Sequence, residues 1–274
     1  MSTIRGARER ARLEVTAAIK DEARKQLAAD GAAKLSLRAV ARELGMVSSA
    51  LYRYFPSRDD LLTALIVDAY DAVGEAAETA HRASYDVPPA PAAHLARWIA
   101  VACAVREWAL AHPHEYALIY GSPVPGYTAP QATIGPASRV GLVFIGIVED
   151  AHRTDGLAVP PLTAELRPEA ERMAADLTPD LPPAVVAPLV AAWAQLMGLI
   201  SFEIFGQFNR IVEAREAFFR HAVADLARNV GLLDDRADRP AISSASTGAS
   251  APAGPASSMV RRGSSRGVSA SSPT

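Results

Sequence analysis

From Ser48 to Phe55 the chain reads Ser-Ser-Ala-Leu-Tyr-Arg-Tyr-Phe. On a helix, Leu51 and Phe55 share one face because they are four residues apart. The other faces then carry Ser48, Ser49, Ala50, Tyr52, Arg53 and Tyr54, which are small or hydrogen-bonding. Small residues at the start of a helix allow close approach to base edges in a DNA major groove, about 12 Å wide. Tyrosine hydroxyls and arginines reach phosphates, which position a protein without reading sequence. This is the chemistry of recognition, and no covalent chemistry competes with it. The chain has no glycine-rich phosphate loop and no Gly-x-Ser-x-Gly elbow, and its one cysteine, Cys103, lies in an apolar run without a nearby base. His112-Pro113-His114-Glu115 does not read as a metal site, since the proline prevents the i, i+4 pairing that puts two imidazoles on one helical face. No enzyme activity, metal or cofactor is expected.

Such a helix needs elements to hold it. Val15, Ile19, Ala23 and Leu27 recur every four residues and predict a long supporting helix from about Arg8 to Ala29, stopped by Asp30-Gly31. Ser36 stands where an N-cap is needed, and Leu37, Val40, Ala41 and Leu44 follow at helical spacing before Gly45 tolerates a positive φ. Ser48 is the expected N-cap of the next short helix. A third begins at Ser57, with Asp60 in a capping-box-like position and an apolar stripe running from Leu61 to Val73. Two short helices joined by a glycine turn have helix-turn-helix geometry, in which the second helix enters the major groove. Tyr54 can either face that groove or pack beside Phe55, and Arg24 and Arg42 read as solvated helix faces.

The 274 residues are 50% apolar and 21% charged, which suits a sizeable core. A single cysteine, with no basic-then-apolar leader over Met1 to Ala11, suggests a cytoplasmic setting. The net charge of −2 divides unevenly, into +5 for residues 1–55, −10 for 56–239 and +3 for 240–274. A basic head on an acidic body points to a polyanion as partner of the head. Sustained alternation and hairpin turns are missing, so the fold reads as all-α. Residues 240–274, with 11 Ser and 7 Ala, read as a disordered tail. No charge occurs between Asp180 and Glu203, yet Pro182, Pro183, Pro188, Gln195, Gly198 and Ser201 interrupt the run; it reads as a helix buried in a core or between subunits rather than a membrane span.

The run Ser36 to Gly45, followed by Leu51-Tyr52-x-Tyr54-Phe55-Pro56-Ser57-Arg58-x-x-Leu61-Leu62, resembles the TetR/AcrR family of one-component bacterial transcription regulators over about residues 8–70. The resemblance implies that Ser36, Tyr52, Tyr54 and Arg58 contact the phosphate backbone. It also implies that Arg38, Ser48, Ser49, Ala50 and Arg53 reach bases or flanking phosphates, and Val47 is counted among the DNA-binding residues. It divides the chain into an N-terminal arm and helix-turn-helix domain (1–56, motif 36–55), a helical ligand-binding and dimerisation domain (57–239, with a connecting helix over 57–81) and the tail. It implies a homodimer formed through helices of about 185–207 and 212–230, a double-stranded, pseudo-palindromic operator as partner, and a small apolar or aromatic effector. Trp193 to Gly198 is similar to the subgroup whose sensor domain carries a Trp…His-Gly signature, although Met197 stands where that signature has His. Trp98, Cys103, Trp108, Tyr116, Tyr120, Phe144, Trp193, Met197 and Phe202 are the candidate pocket residues, because apolar and aromatic walls line small-molecule sites. A nonspecific architectural DNA binder and a helical ligand-binding protein without DNA function are the alternatives.

Overall fold

The computed structural model describes residues 2–84 and 91–234, with side chains from residue 6 and, past the gap, from residue 93. The expected tail and most of the break at Asp86–Pro91 lie outside the described residues. Those residues form ten α-helices and no strand: α1 Ser2–Asp30, α2 Leu37–Glu43, α3 Ser48–Leu51, α4 Arg58–Ala83, α5 Pro91–Ala111, α6 Pro113–Tyr120, α7 Ile134–Arg153, α8 Arg167–Leu177, α9 Pro183–Ile204 and α10 Arg215–Val230.

The helix boundaries follow local chemistry. Ser36 caps α2 by accepting from the Ala39 N–H at 3.4 Å, and Ser57 caps α4 by accepting from the Asp60 N–H at 3.1 Å. Gly45 closes α2 at φ 62°, where a side chain would be strained. Pro113 sits at the first position of α6, where its missing N–H costs nothing, and so divides α5 from α6. Four expectations shift, the first being the end of α9, which falls at Ile204 rather than near Gln207. α1 starts at Ser2 rather than near Arg8. α10 starts at Arg215 rather than Val212. Ser48 is not the N-cap of α3; Val47 is, and its carbonyl accepts from the Ala50 N–H at 2.9 Å, which leaves the Ser48 hydroxyl out of the cap. α3 itself is one turn, extended by tightened bonds from Arg53 to Ala50 and from Tyr54 to Leu51.

Two apolar cores result. In the head, Ile19, Ala23 and Leu27 of α1 pack with Leu37, Val40 and Ala41 of α2, with Leu51 and Phe55, and with Leu61, Leu62, Leu65 and Ile66 of α4. In the body, Val73 and Ala77 from the second half of α4 join the buried faces of α5, α7, α9 and α10. α4 thus spends one continuous stripe on both cores. It lies against α7 at Gly74, where a Cβ would come within 2.8 Å of the Arg139 side chain. That guanidinium binds both Glu78 oxygens, at 2.8 and 2.9 Å, and Asp71 at 2.7 Å.

The uncharged stretch is α9. Its buried residues, among them Val185, Val186, Leu189, Leu196 and Ile200, face the body core. Its terminal Glu203 is buried and paired with Arg106 of α5 through two bonds of 2.6 and 2.7 Å, while the same guanidinium lies over the Phe219 ring of α10 at 5.3 Å. Removing one member of such a buried pair leaves an uncompensated charge and costs about 3–5 kcal/mol.

In the body, His94 is buried with its Nε2 2.9 Å from the Thr154 hydroxyl, and His81 of α4 is half-buried and feels the same charges, Arg97 and Asp150. Desolvation holds both imidazoles below their usual pKa of 6.5, and the Arg97 charge adds to the effect against the opposing pull of Asp150. The fold therefore favours the neutral rings; their contribution is fully present above about pH 6.5 and is lost as pH falls below it. The apparent melting temperature is expected to fall between pH 7 and pH 5, before the carboxylates titrate, and a His81→Asn/His94→Gln variant should show a flatter profile over the same range.

Candidate nucleic-acid interface and ligand cavity

Leu51 is wholly buried and Phe55 nearly so, and together they pin α3 and the following turn onto the head. The opposite side is solvent-facing. Val47 is 70% exposed and Tyr52 42% exposed, and Ser48, Ser49 and Arg53 are also exposed, with Ala50 partly so. Arg38, one helix earlier, is exposed too. These residues form one surface of hydroxyls, a methyl, a phenol and guanidiniums, chemically fit to meet base edges with phosphates on either side.

Three candidates differ from the rest. Tyr54 packs its ring against the head core, so the alternative of packing beside Phe55 describes its ring. Ser36 spends its hydroxyl oxygen as an acceptor for the Ala39 N–H, which leaves its proton as a donor. Arg58 turns inward: its Nε donates to the Leu35 carbonyl at 3.2 Å and its Nη2 to those of Ala32 and Ala33 at 2.8 and 3.3 Å. The geometry makes Arg58 a clasp between the start of α4 and the loop ahead of α2. Arg24, read as a solvated face, instead bridges helices. It bonds Asp68 of α4 at 2.7 Å and Glu115 of α6 at 3.0 Å, while Lys20 takes the other Asp68 oxygen at 2.7 Å.

In the body, Trp98, Phe144 and Trp193 come together on a cavity of about 480 Å³. Trp98 and Phe144 meet edge to face at 4.5 Å between centroids, and Phe144 and Trp193 at 6.4 Å. The remaining wall is largely aliphatic, from Leu142 and Ile145 of α7 and Val186, Leu189, Val190 and Leu196 of α9, and it includes Asp176, Leu177 and Thr178 from the end of α8. The Asp176 carboxylate is paired with Arg172 at 3.1 Å. Such a chamber suits an apolar or aromatic molecule of moderate size.

The other candidates lie elsewhere. Tyr116 is a buried pin whose hydroxyl donates to the Met197 carbonyl at 3.1 Å and lies 2.9 Å from the Ser201 hydroxyl. Tyr120, whose hydroxyl pKa is pushed up by burial, meets Trp193 edge to face at 6.4 Å between centroids and borders a separate cleft beside the end of α1. Trp108 stacks on His112 at 5.4 Å. Cys103 is buried and accepts from Arg220 at 3.4 Å, and burial raises its thiol pKa, the opposite of an activated nucleophile. Met197 is partly buried against the body core, and Phe202 is exposed, edge-on to Phe208 at 5.7 Å. Sequence reasoning missed the aliphatic wall, since nothing distinguishes a pocket leucine from a core leucine before the helices are packed. It also missed Gly141, which lines the cavity from α7 with open space where a Cβ would stand.

Comparison with known proteins places both halves. The model of the bacterial regulatory proteins of the tetR family matches residues 19–65, and a Tetracyclin repressor-like C-terminal domain matches residues 98–226. The HTH-type transcriptional regulator Rv1816 of Mycobacterium tuberculosis is 43% identical over 215 residues, spanning 74% of this chain and 86% of that protein. Mb1846 of Mycobacterium bovis, also an HTH-type transcriptional regulator, shows the same identity and coverage. Among solved structures, SCO4313 is 33% identical with a TM-score of 0.64, covering 80% of this chain and 97% of that one. A protein from Rhodococcus sp. RHA1, 22% identical with a TM-score of 0.59 over 79% of this chain and 95% of that one, shares the fold.

Gly141 gives the cavity a direct test. Gly141→Leu is expected to fold, since open space and a helical backbone accept the side chain, and to remove binding of hydrophobic dyes or metabolites measured by fluorescence. Gly141→Ala should raise stability by about 0.5–1 kcal/mol in thermal unfolding.

Proposed function

The chain belongs to the TetR family of bacterial transcription regulators, and we propose that it acts in the cytoplasm as a homodimeric repressor, binding a pseudo-palindromic operator and released by a small apolar or aromatic effector. The observation that carries the reading is the division of α3 and its following turn: Leu51 and Phe55 are buried, while Val47, Ser48, Ser49, Tyr52 and Arg53 face solvent. A packing role alone gives no reason for that exposed set. Two copies of α3 in successive major grooves would stand about 34–36 Å apart or at a multiple of that distance.

The outward side of α9 supports the dimer. Ala191, Ala194, Gln195 and Phe202 are exposed, as is Phe205 just past the end of the helix, and no charge falls on α9 before Glu203. Beside it, Phe208 joins Phe202 to Phe218 of α10 through edge-to-face contacts at 5.7 and 5.6 Å. Self-complementary burial of α9 and α10 against a twofold mate would cover this surface. By length and composition alone α7, with the turn before it, and α9 could cross a membrane. The family assignment and the charged Arg106–Glu203 lock at the end of α9 favour the subunit interface instead.

The cavity between α5, α7, α8 and α9 is the site assigned to the effector. A ligand there would weaken operator binding only by the ratio of its affinities for the DNA-competent and DNA-incompetent dimers. Enrichment from a pool of random duplexes tests the sequence-specific reading: a selected sequence bound in preference to bulk DNA supports it, whereas equal affinity for all duplexes supports the architectural alternative. Tyr52→Phe/Arg53→Gln should lower affinity for the selected duplex by at least about tenfold, the worth of 1.4 kcal/mol, with unchanged circular dichroism and melting temperature. Sedimentation is expected to give a dimer, and Ala194→Arg should give helical monomers.

A further inference from the structure

α1 is longer than the head core requires. Its buried positions begin at Ile19, with Val15 partly covered, and every side chain from Gly6 to Glu14 is exposed. Among the described residues, this stretch makes no hydrogen bond or ion pair to another element; Thr16 bonds the Arg12 carbonyl within the helix itself. The other end of α1 is the moored one. Lys20 is tied to α4 through Asp68, Arg24 to α6 through Glu115, and Leu27 borders the cleft beside α6. Running the opposite way at about 1.5 Å per residue, Arg12 and Arg8 stand about 12 and 18 Å beyond Lys20.

Helical register decides what this overhang presents. At about 100° per residue, Arg8, Arg12, Val15, Ile19 and Ala23 fall within about 40° of a single line. Among the described side chains, the stripe that packs on the head core therefore continues outward as the guanidiniums of Arg8 and Arg12, without a carboxylate on it. Arg10 and Glu14 lie on the opposite face, and Glu9 on the flank. Arginines that have no partner among the described residues, on a bare helix leaving a head that is itself basic, with 7 Lys and Arg against 4 Asp and Glu over residues 15–55, match a phosphate backbone, which they can engage bidentately.

We propose that the overhang of α1 is a second DNA-binding element, in which Arg8 and Arg12 hold phosphates flanking the groove entered by α3. The element rests on the reading of the head as DNA-binding and adds to it. It lengthens the footprint and strengthens the salt dependence without reading bases, since phosphate contacts position a protein rather than specify its site.

Binding of the full-length chain to a random-sequence duplex of about 40 base pairs, long enough to flank one turn on each side of a two-turn site, is measured as a function of salt. Arg8→Gln/Arg12→Gln is expected to shallow the slope of log K against log[salt] by about 2 per protomer and to weaken low-salt binding about tenfold or more. Its melting temperature should stay unchanged, because neither side chain packs on anything. Arg10→Gln, on the opposite face, should leave the slope as it was. An unchanged slope in the double variant, or an equal loss in Arg10→Gln, overturns the proposal while leaving the head reading intact. Absence of salt-dependent duplex binding by the unaltered chain removes the head reading, and the overhang with it. The stripe could instead meet the acidic body of another copy; a shift in sedimentation equilibrium with the DNA slope preserved would show that and overturn the DNA assignment.

Discussion

The stripe of apolar residues along α4 is buried twice, first by the head and then by the body, and that double burial is what makes a one-turn recognition helix possible. α3 is too short to hold itself: an isolated turn has paid nucleation entropy for almost no hydrogen bonds. It exists because Leu51 and Phe55 enter a core that Leu61, Leu62, Leu65 and Ile66 complete. Each such side chain, fully buried, contributes about 1.5–3 kcal/mol. Further along, Val73 and Ala77 bind the same helix into the body, so the head cannot tilt independently of the helix that also packs on α5 and α7.

Around that helix the chain places two kinds of contact that respond differently to their surroundings. Where α1, α4 and α6 meet, Lys20, Arg24, Asp68 and Glu115 share partly exposed ion pairs, and His112 lies 2.9 Å from the second Glu115 oxygen. Pairs at this exposure are individually weak and salt-sensitive, and they set orientation more than they add stability. Below them an aromatic series runs from the cavity towards α4: Trp98 to Phe144, Phe144 to Trp193, Trp193 to Tyr120, and Tyr120 to Tyr70 of α4 at 5.9 Å. Tyr70 also donates its hydroxyl to the Ile119 carbonyl of α6 at 3.3 Å. On the proposed reading, a ligand that moves Trp193 or Phe144 acts on packed rings rather than on a soft surface, and close packing transmits such a shift.

Much of the head was legible because its determinants are local. The caps at Ser36 and Ser57, the positive φ at Gly45 and the four-residue spacing of Ile19, Ala23 and Leu27 each act within a turn or two of chain. Where local rules compete, sequence alone mispositioned details. Both Val47 and Ser48 could begin α3, and the backbone bond from Ala50 to Val47 prevailed over the side-chain cap. Arg24 has the same sequence appearance as any exposed arginine, yet it is committed to partners 44 and 91 residues distant.

Composition, periodicity and turn residues thus sufficed for the all-α class and for the helix-turn-helix, since those depend on propensity and on a single apolar stripe per helix, whereas Tyr54, which the stripe leaves on an outward face, packs its ring on the head core. Which of nine aromatic, sulfur-bearing or apolar candidates share a chamber was decided by the packing of α5, α7, α8 and α9. Three of them, Trp98, Phe144 and Trp193, meet at one cavity, while the others serve as pins, stacking partners or surface. The physical reason is that burial says only that a side chain has left water; whether it meets another side chain or an empty volume depends on helices far apart in the chain, and that relation is set only when they dock.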